Sequence, residues 1–119
     1  MPRNRTNPNF LNGVPELLIL QLLSSEAMHG YQVVQAIKSK SGGKLDFGEG
    51  CIYPILHRLE KQGDLASRRE TVGGRRRVIY RTTPRGKRRL ADSVSTWSQI
   101  VAAVNDVLQG GEHGSEAVA

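Results

Sequence analysis

The chain has 119 residues, 38% of them hydrophobic, which is enough for one domain with a modest core. Its longest apolar run, Leu17 to Leu20, is far too short to span a bilayer, its basic N-terminus lacks the apolar stretch of a signal peptide, and its single cysteine, Cys51, has no partner for a disulfide or a zinc knuckle, so a cytoplasmic protein is expected. The net charge of +6 is unevenly placed: residues 68–89 hold ten basic side chains against Glu70 alone, a local balance of +9, and the remainder sums to −3. Most of these cations are arginines, whose planar fork matches phosphate oxygens, so the expected partner is a polyanion.

In chain order, "MPRNRTNPN" has turn formers, two arginines and no periodicity, and reads as a flexible arm over residues 1–9. "PELLILQLLSS" follows with a proline suited to a helix start, and predicts a short first helix that is apolar nearly all round and must be covered on several sides. "HGYQVVQAIKSKSGG" places Tyr31, Val33, Val34 and Ile37 at helical spacing and ends in Gly42 and Gly43, so a second helix is expected there. After the extended link "KLDF", the stretch "GEGCIYPILHRLEKQGDL" puts Ile52, Ile55, Leu56 and Leu59 at i, i+3, i+4 and i+7, the stripe of a third helix that Gly63 stops. "LASRRE" and "RRVIYR" are short extended runs joined by "TVGG", a hairpin signal. Thr83 and Pro84 then read as N-cap and first residue of a long fourth helix reaching about Gln109, ahead of a tail expected to be disordered from residue 110. Three short helices followed by a basic hairpin describe a mainly α winged helix-turn-helix over residues 10–83, with a C-terminal helix over 84–109 for dimerisation.

The fourth helix carries the most regular pattern. Leu90, Val94, Trp97, Val101, Val104 and Leu108 alternate at spacings of four and three, a coiled-coil seam, and Ile100 and Val107 widen its apolar face. A two-fold homodimer is expected, with the fourth helices packed on each other or on the partner's first helix through Leu18 and Leu22; the alternative is packing on the first helix of the same chain. A dimer presents two reading helices to half-sites about 34 Å apart on a palindromic operator.

Four stretches, "HGYQVVQAI", "GCIYPILHRLEKQGDL", "GGRRRVIYRTTPRGKRRL" and the closing helix, together resemble PadR-family transcriptional regulators. The likeness covers about residues 15 to 108, and the Tyr-Pro pair inside the third helix, followed by Arg-Leu-Glu and Gly, is its most specific part. It implies a dimeric winged helix-turn-helix repressor of the small subclass with one C-terminal helix. Cys51-Ile52 stands where Thr-Leu is frequent, and Pro84-Arg85 where less restricted residues are common. Neither change threatens the fold, but the first bears on base preference.

Pro54 sits inside the stripe of the third helix, where it would cost about 3 kcal/mol in a helix interior. It lies near the helix start, and Gly50 four residues back offers little resistance to the ring, so the cost is expected to fall well below that figure. A helical wheel puts Gly50, Tyr53, Pro54, His57 and Lys61 opposite the apolar stripe, with Arg58 at the edge. This face is expected to read the DNA groove. Tyr53 either gives its hydroxyl to a phosphate or packs its ring in the core. Arg75, Arg76 and Arg77 at the hairpin tip are expected on phosphates or in an adjacent minor groove. Glu49 either orders Arg58 or accepts from a cytosine amino group. Trp97 is read either as seam packing or as part of a flat slot between subunits for a small aromatic effector, the latter implied by effector-responsive members of the similar family. Cys51 and His29 have no ligand cluster around them.

No carboxylate pair at useful spacing, Gly-rich phosphate loop, nucleophile motif or metal-ligand cluster is present, so neither an enzyme nor a cofactor nor a metal site is expected. Two rivals remain open at this stage: a basic winged helix bound to RNA or the ribosome, and a protein that sequesters small molecules. The first is disfavoured by the predicted two-fold seam, since duplex RNA hides its major groove from side chains.

Overall fold

The computed structural model describes residues 13–110, so the expected arm over residues 1–9 and the tail beyond residue 110 lie outside the described residues. The chain order is α1 (Val14–Ser25), β1 (Met28–His29), α2 (Gly30–Lys40), α3 (Glu49–Lys61), β2 (Leu65–Val72), β3 (Arg75–Thr82) and α4 (Pro84–Leu108). The strands form one antiparallel sheet in the order β1-β3-β2, with Met28 opposite Tyr80 and Ser67 opposite the same Tyr80 on its other side. This is the winged helix-turn-helix read from the sequence, with β1 as an added edge strand. Among the described residues no helix is long and apolar enough to cross a membrane.

The core is built around α1. Its apolar residues point in several directions, and Val14, Ile19, Leu20, Leu22 and Leu23 are all buried because α2, α3, α4 and β3 each pack against it. Val33, Val34 and Ile37 of α2 and Ile52, Leu56 and Leu59 of α3 complete the cluster with Phe47, Leu65, Tyr80 and Leu90. Each large aliphatic side chain so buried contributes about 1.5–3 kcal/mol. A buried hydrogen bond from Thr82 Oγ1 to the Leu20 carbonyl, 2.9 Å, ties the sheet to α1. Tyr31, expected with the stripe of α2, is instead 47% exposed, on the side of the helix that lines an open hollow with Gln32, Gln35 and Arg77. Leu22, expected at a subunit interface, is turned into the chain's own core; Leu18 is half-buried against it.

Helix α3 runs through Pro54 without a break. Its first turn is closed on the Gly48 carbonyl by the amides of Cys51 and Ile52, at 3.0 and 3.1 Å, so Pro54 stands two residues past the first i→i−4 bond and forfeits a single bond close to the helix start. The carbonyl that Pro54 leaves unpaired belongs to exposed Gly50, where a Cβ would meet nothing within 4 Å. The helix ends as a Schellman turn: Gly63 takes φ 88°, its amide reaches the Glu60 carbonyl, and the Asp64 amide reaches that of Leu59.

Gly73 and Gly74, both at positive φ, make the two-residue turn that matches the twist of β2 and β3. At the far end of β3 the Thr83 hydroxyl accepts from the Gly86 amide at 3.1 Å and donates to the Gly63 carbonyl at 2.7 Å, which starts α4 and anchors it to the end of α3. Gly86 is buried so closely on the Asp64 carbonyl that a Cβ there would collide with backbone. Helix α4 spans 25 residues, about 37 Å, of which only Gly86 and Leu90 are buried.

His29 caps α2, its Nδ1 accepting from the Gln32 amide at 3.4 Å while the Gln32 side chain accepts from the His29 amide at 3.0 Å. Burial, and then the positive charge of Arg77, hold the imidazole pKa below its ordinary value. The folded chain thus binds this proton less readily than the unfolded one, so the capped state is at full strength above the unfolded pKa and weakens as pH falls through the shifted value. Urea midpoints should therefore drop as pH is lowered from about 7.5 to about 5.5, and His29→Asn, which keeps an acceptor at the cap, should flatten that dependence. Parallel curves for the two proteins would show that His29 does not carry it.

Candidate nucleic-acid interface

The apolar stripe of α3 is held against α1 and α2, which leaves the opposite side of the helix to solvent. Gly50, Pro54, His57 and Lys61, all placed on one face by the sequence, are all exposed there. Gly50 and Pro54 keep the front of the helix narrow. Tyr53 flanks this face half-buried: its ring sits over the start of α2, where a Cβ on Gly30 would lie 2.5 Å from the ring, and it tilts against His57 at 6.2 Å between centroids. The glycine thus makes the space that seats Tyr53. Cys51 is half-buried beside the core, and burial pushes its thiol pKa up, which leaves it a poor nucleophile.

The wing divides by strand parity. Ser67, Arg69 and Thr71 share a face with Tyr80, Val78 and Arg76, their cross-strand partners. His57 and Glu60 of α3 line a cleft together with Ser67, Arg69, Val78 and Tyr80, and the Ser67 hydroxyl donates to Glu60 across it at 2.5 Å. Arg69 and Arg76 therefore project on the α3 side. The three arginines grouped at the tip by the sequence do not share one face: Arg75 and Arg76 are exposed on opposite faces, whereas Arg77 is half-buried, its Nε enclosed without a hydrogen-bond partner, in a hollow it shares with His29, Gln32 and Gln35. Arg69 was not singled out from the sequence, although the alternation of "LASRRE" against "RRVIYR" contains the signal. Arg68 pairs with Glu70 at 3.1 Å on the outer face, which neutralises the acid of the wing.

Arg58, placed at the edge of the outward face, is paired across to α1. Its Nη1 donates to Glu16 Oε1 at 3.0 Å, so Glu49 does not order it; Glu49 stands exposed at the leading end of α3. The other oxygen of Glu16 accepts from Arg89 of α4 at 2.8 Å, and Arg89 also reaches Asp64 Oδ2 at 3.1 Å. Asp64, its side chain 1% exposed, takes Arg85 at 3.5 Å as well. A buried carboxylate demands such pairing. Neither Glu16 nor Arg89 stands out in the sequence, since the two partners of Glu16 lie 42 and 73 residues from it along the chain.

Along α4, Leu90 of the expected seam is buried in the chain's own core, Val101 is half-buried, and Val94, Trp97, Ile100 and Val104 are 43–50% exposed. Val107 and Leu108 are more exposed still. Trp97 and Ile100 form one wall of a groove whose other wall is Val14, Glu16 and Leu17 of α1. The first half of α4 thus packs on its own α1, which is the alternative named for this helix, and the apolar row beyond has no cover among the described residues.

Comparison with known proteins agrees with this layout. Residues 19–92 match the model of the transcriptional regulator PadR-like family. The transcriptional regulator Rv3488 of Mycobacterium tuberculosis is 33% identical over 104 residues, spanning 87% of this chain and 92% of that protein. A crystal structure of a PadR family transcriptional regulator from Eggerthella lenta superposes with a TM-score of 0.75 at 29% identity, covering 86% of this chain and 88% of the other. The structure of Bacillus subtilis PadR in complex with operator DNA superposes with a TM-score of 0.63 at 28% identity, over 69% of this chain and 47% of that one. A fold, a charge pattern and a matched domain that agree over most of the chain make it a transcription regulator and not an enzyme, and it belongs to the PadR-like family.

Proposed function

We propose that this chain is a homodimeric, cytoplasmic repressor that binds a palindromic operator. Its α3 enters the major groove and its wing lies on the flanking backbone. The observation that carries this reading is the exposed outer face of α3 beside Arg69 and Arg76 on the same side of the wing. Gly50 and Pro54 permit close approach, His57 and Lys61 reach base edges or phosphates, and Tyr53 directs its hydroxyl to the backbone. Glu49 at the leading end selects a cytosine amino group. Arg75 and Arg77 add charge to the wing, Arg77 with less reach because of its enclosure. The relative that was crystallised in complex with operator DNA supports an operator as the partner.

The exposed row of Val94, Trp97, Ile100 and Val104 supports dimerisation through α4, since a monomer seldom keeps such a contiguous apolar surface in water. Leu18, half-buried on α1, with Val101 and Leu108 of α4 completes the proposed interface. The groove beside Trp97 supports a slot at the subunit boundary for a planar aromatic effector, which releases DNA by favouring a dimer with wrongly spaced reading helices.

Two outcomes test these points. Replacing Arg69, Arg75 and Arg76 by alanine should weaken binding alike on all DNA sequences and flatten the dependence of log K on log salt by about 0.9 for each phosphate no longer neutralised. An unchanged slope would take the wing off the backbone. Val94→Asp together with Val101→Asp should sediment as a monomer with poor operator affinity; a double mutant that stays dimeric would move the interface elsewhere.

A further inference from the structure

We propose that Glu16 is a positioning residue that withholds Arg58 of the reading helix from DNA. The inference rests on the DNA-binding reading above and adds a control to it. Around α3, Arg58 lies about 40° from Pro54, so its Cα belongs to the border of the outward face. Its guanidinium nevertheless turns back to α1, where Glu16 Oε1 receives it at 3.0 Å.

Glu16 does not follow Arg58 outward. Its backbone is fixed between buried Pro15 and the core row of α1, and its second oxygen is held at 2.8 Å by Arg89, itself moored to Asp64 at the root of α4. The carboxylate is therefore shared between a cation of the reading helix and a cation of α4. Arg58 is 45% exposed in its side chain, so no packing prevents it from swinging to a phosphate once the carboxylate lets go. Lys61, one turn on along the same helix face, has no acidic partner among the described residues, which makes Arg58 the cation of this face that is held in reserve.

Binding to a short mixed-sequence DNA duplex tests this without knowledge of the operator, because phosphate neutralisation dominates such binding and sets its salt dependence. With the full chain, Arg58→Ala should leave the salt slope unchanged, and Glu16→Gln should tighten binding at low salt and steepen the slope by about 0.9 for each phosphate newly engaged. The gain should vanish in the double mutant Glu16→Gln/Arg58→Ala. A merely structural Glu16 would lower the urea midpoint and leave the slope alone. The proposal is overturned if Arg58→Ala alone flattens the slope, since Arg58 would then already lie on DNA, or if folded Glu16→Gln binds with the wild-type slope. Should Glu16→Gln fail to fold, Glu16→Ala is read by the same slope, with the same gain supporting the proposal and a wild-type slope overturning it. A wild-type chain without salt-dependent binding would refute the DNA reading itself, a separate result.

Discussion

Everything outside the core is oriented by the junction at Asp64. Its carboxylate is buried and must be paired, its carbonyl receives the Thr83 amide at 3.0 Å, and Gly86 lies against that same carbonyl with no room for a side chain. Here the end of α3, the start of β2, the end of β3 and the start of α4 meet. The junction sets the direction in which α4 leaves the domain. Because α4 is about 37 Å long, a tilt of about 10° at its root moves its far end by about 6 Å. In the proposed dimer, a subunit contact along that helix would thereby set the separation of the two α3 helices.

The proline of α3 fits the same logic. A helix held by Ile52, Leu56 and Leu59 on its inner side gains its stability from burial and tolerates one missing amide near its start. Its outer side is then left without a structural task. Small residues at Gly50 and Pro54 make that side thin, Tyr53 is seated by the absence of a side chain at Gly30, and the cations divide into those already in water and one, Arg58, bound to Glu16.

Elements with a strong period were legible in the sequence. The four helices begin and end within a residue or so of their predicted places because Pro15, His29, Gly63, Thr83 and Pro84 mark their ends chemically. The hairpin turn was legible from its paired glycines. The two-residue strand β1 was not, since Met28 and His29 are too few to show alternation and pair only because β3 is already in place. Contacts between distant segments were equally hidden: Leu22 looks available for a partner until α1 is surrounded, Tyr31 looks buried until its side of α2 is found to line an open hollow, and nothing local in Arg58 reveals Glu16. Periodicity reports which face of an element is apolar, but it does not report which neighbour covers that face or which acid waits across a gap.

The most direct test of the central claim is a hydroxyl-radical footprint of the chain on a duplex recovered from a random-sequence selection. Two subunits joined through α4, each reading with α3, should protect two equivalent patches related by a dyad and centred about 34 Å, one helical turn, apart. A single patch without symmetry, bound by one chain per duplex, would contradict the account.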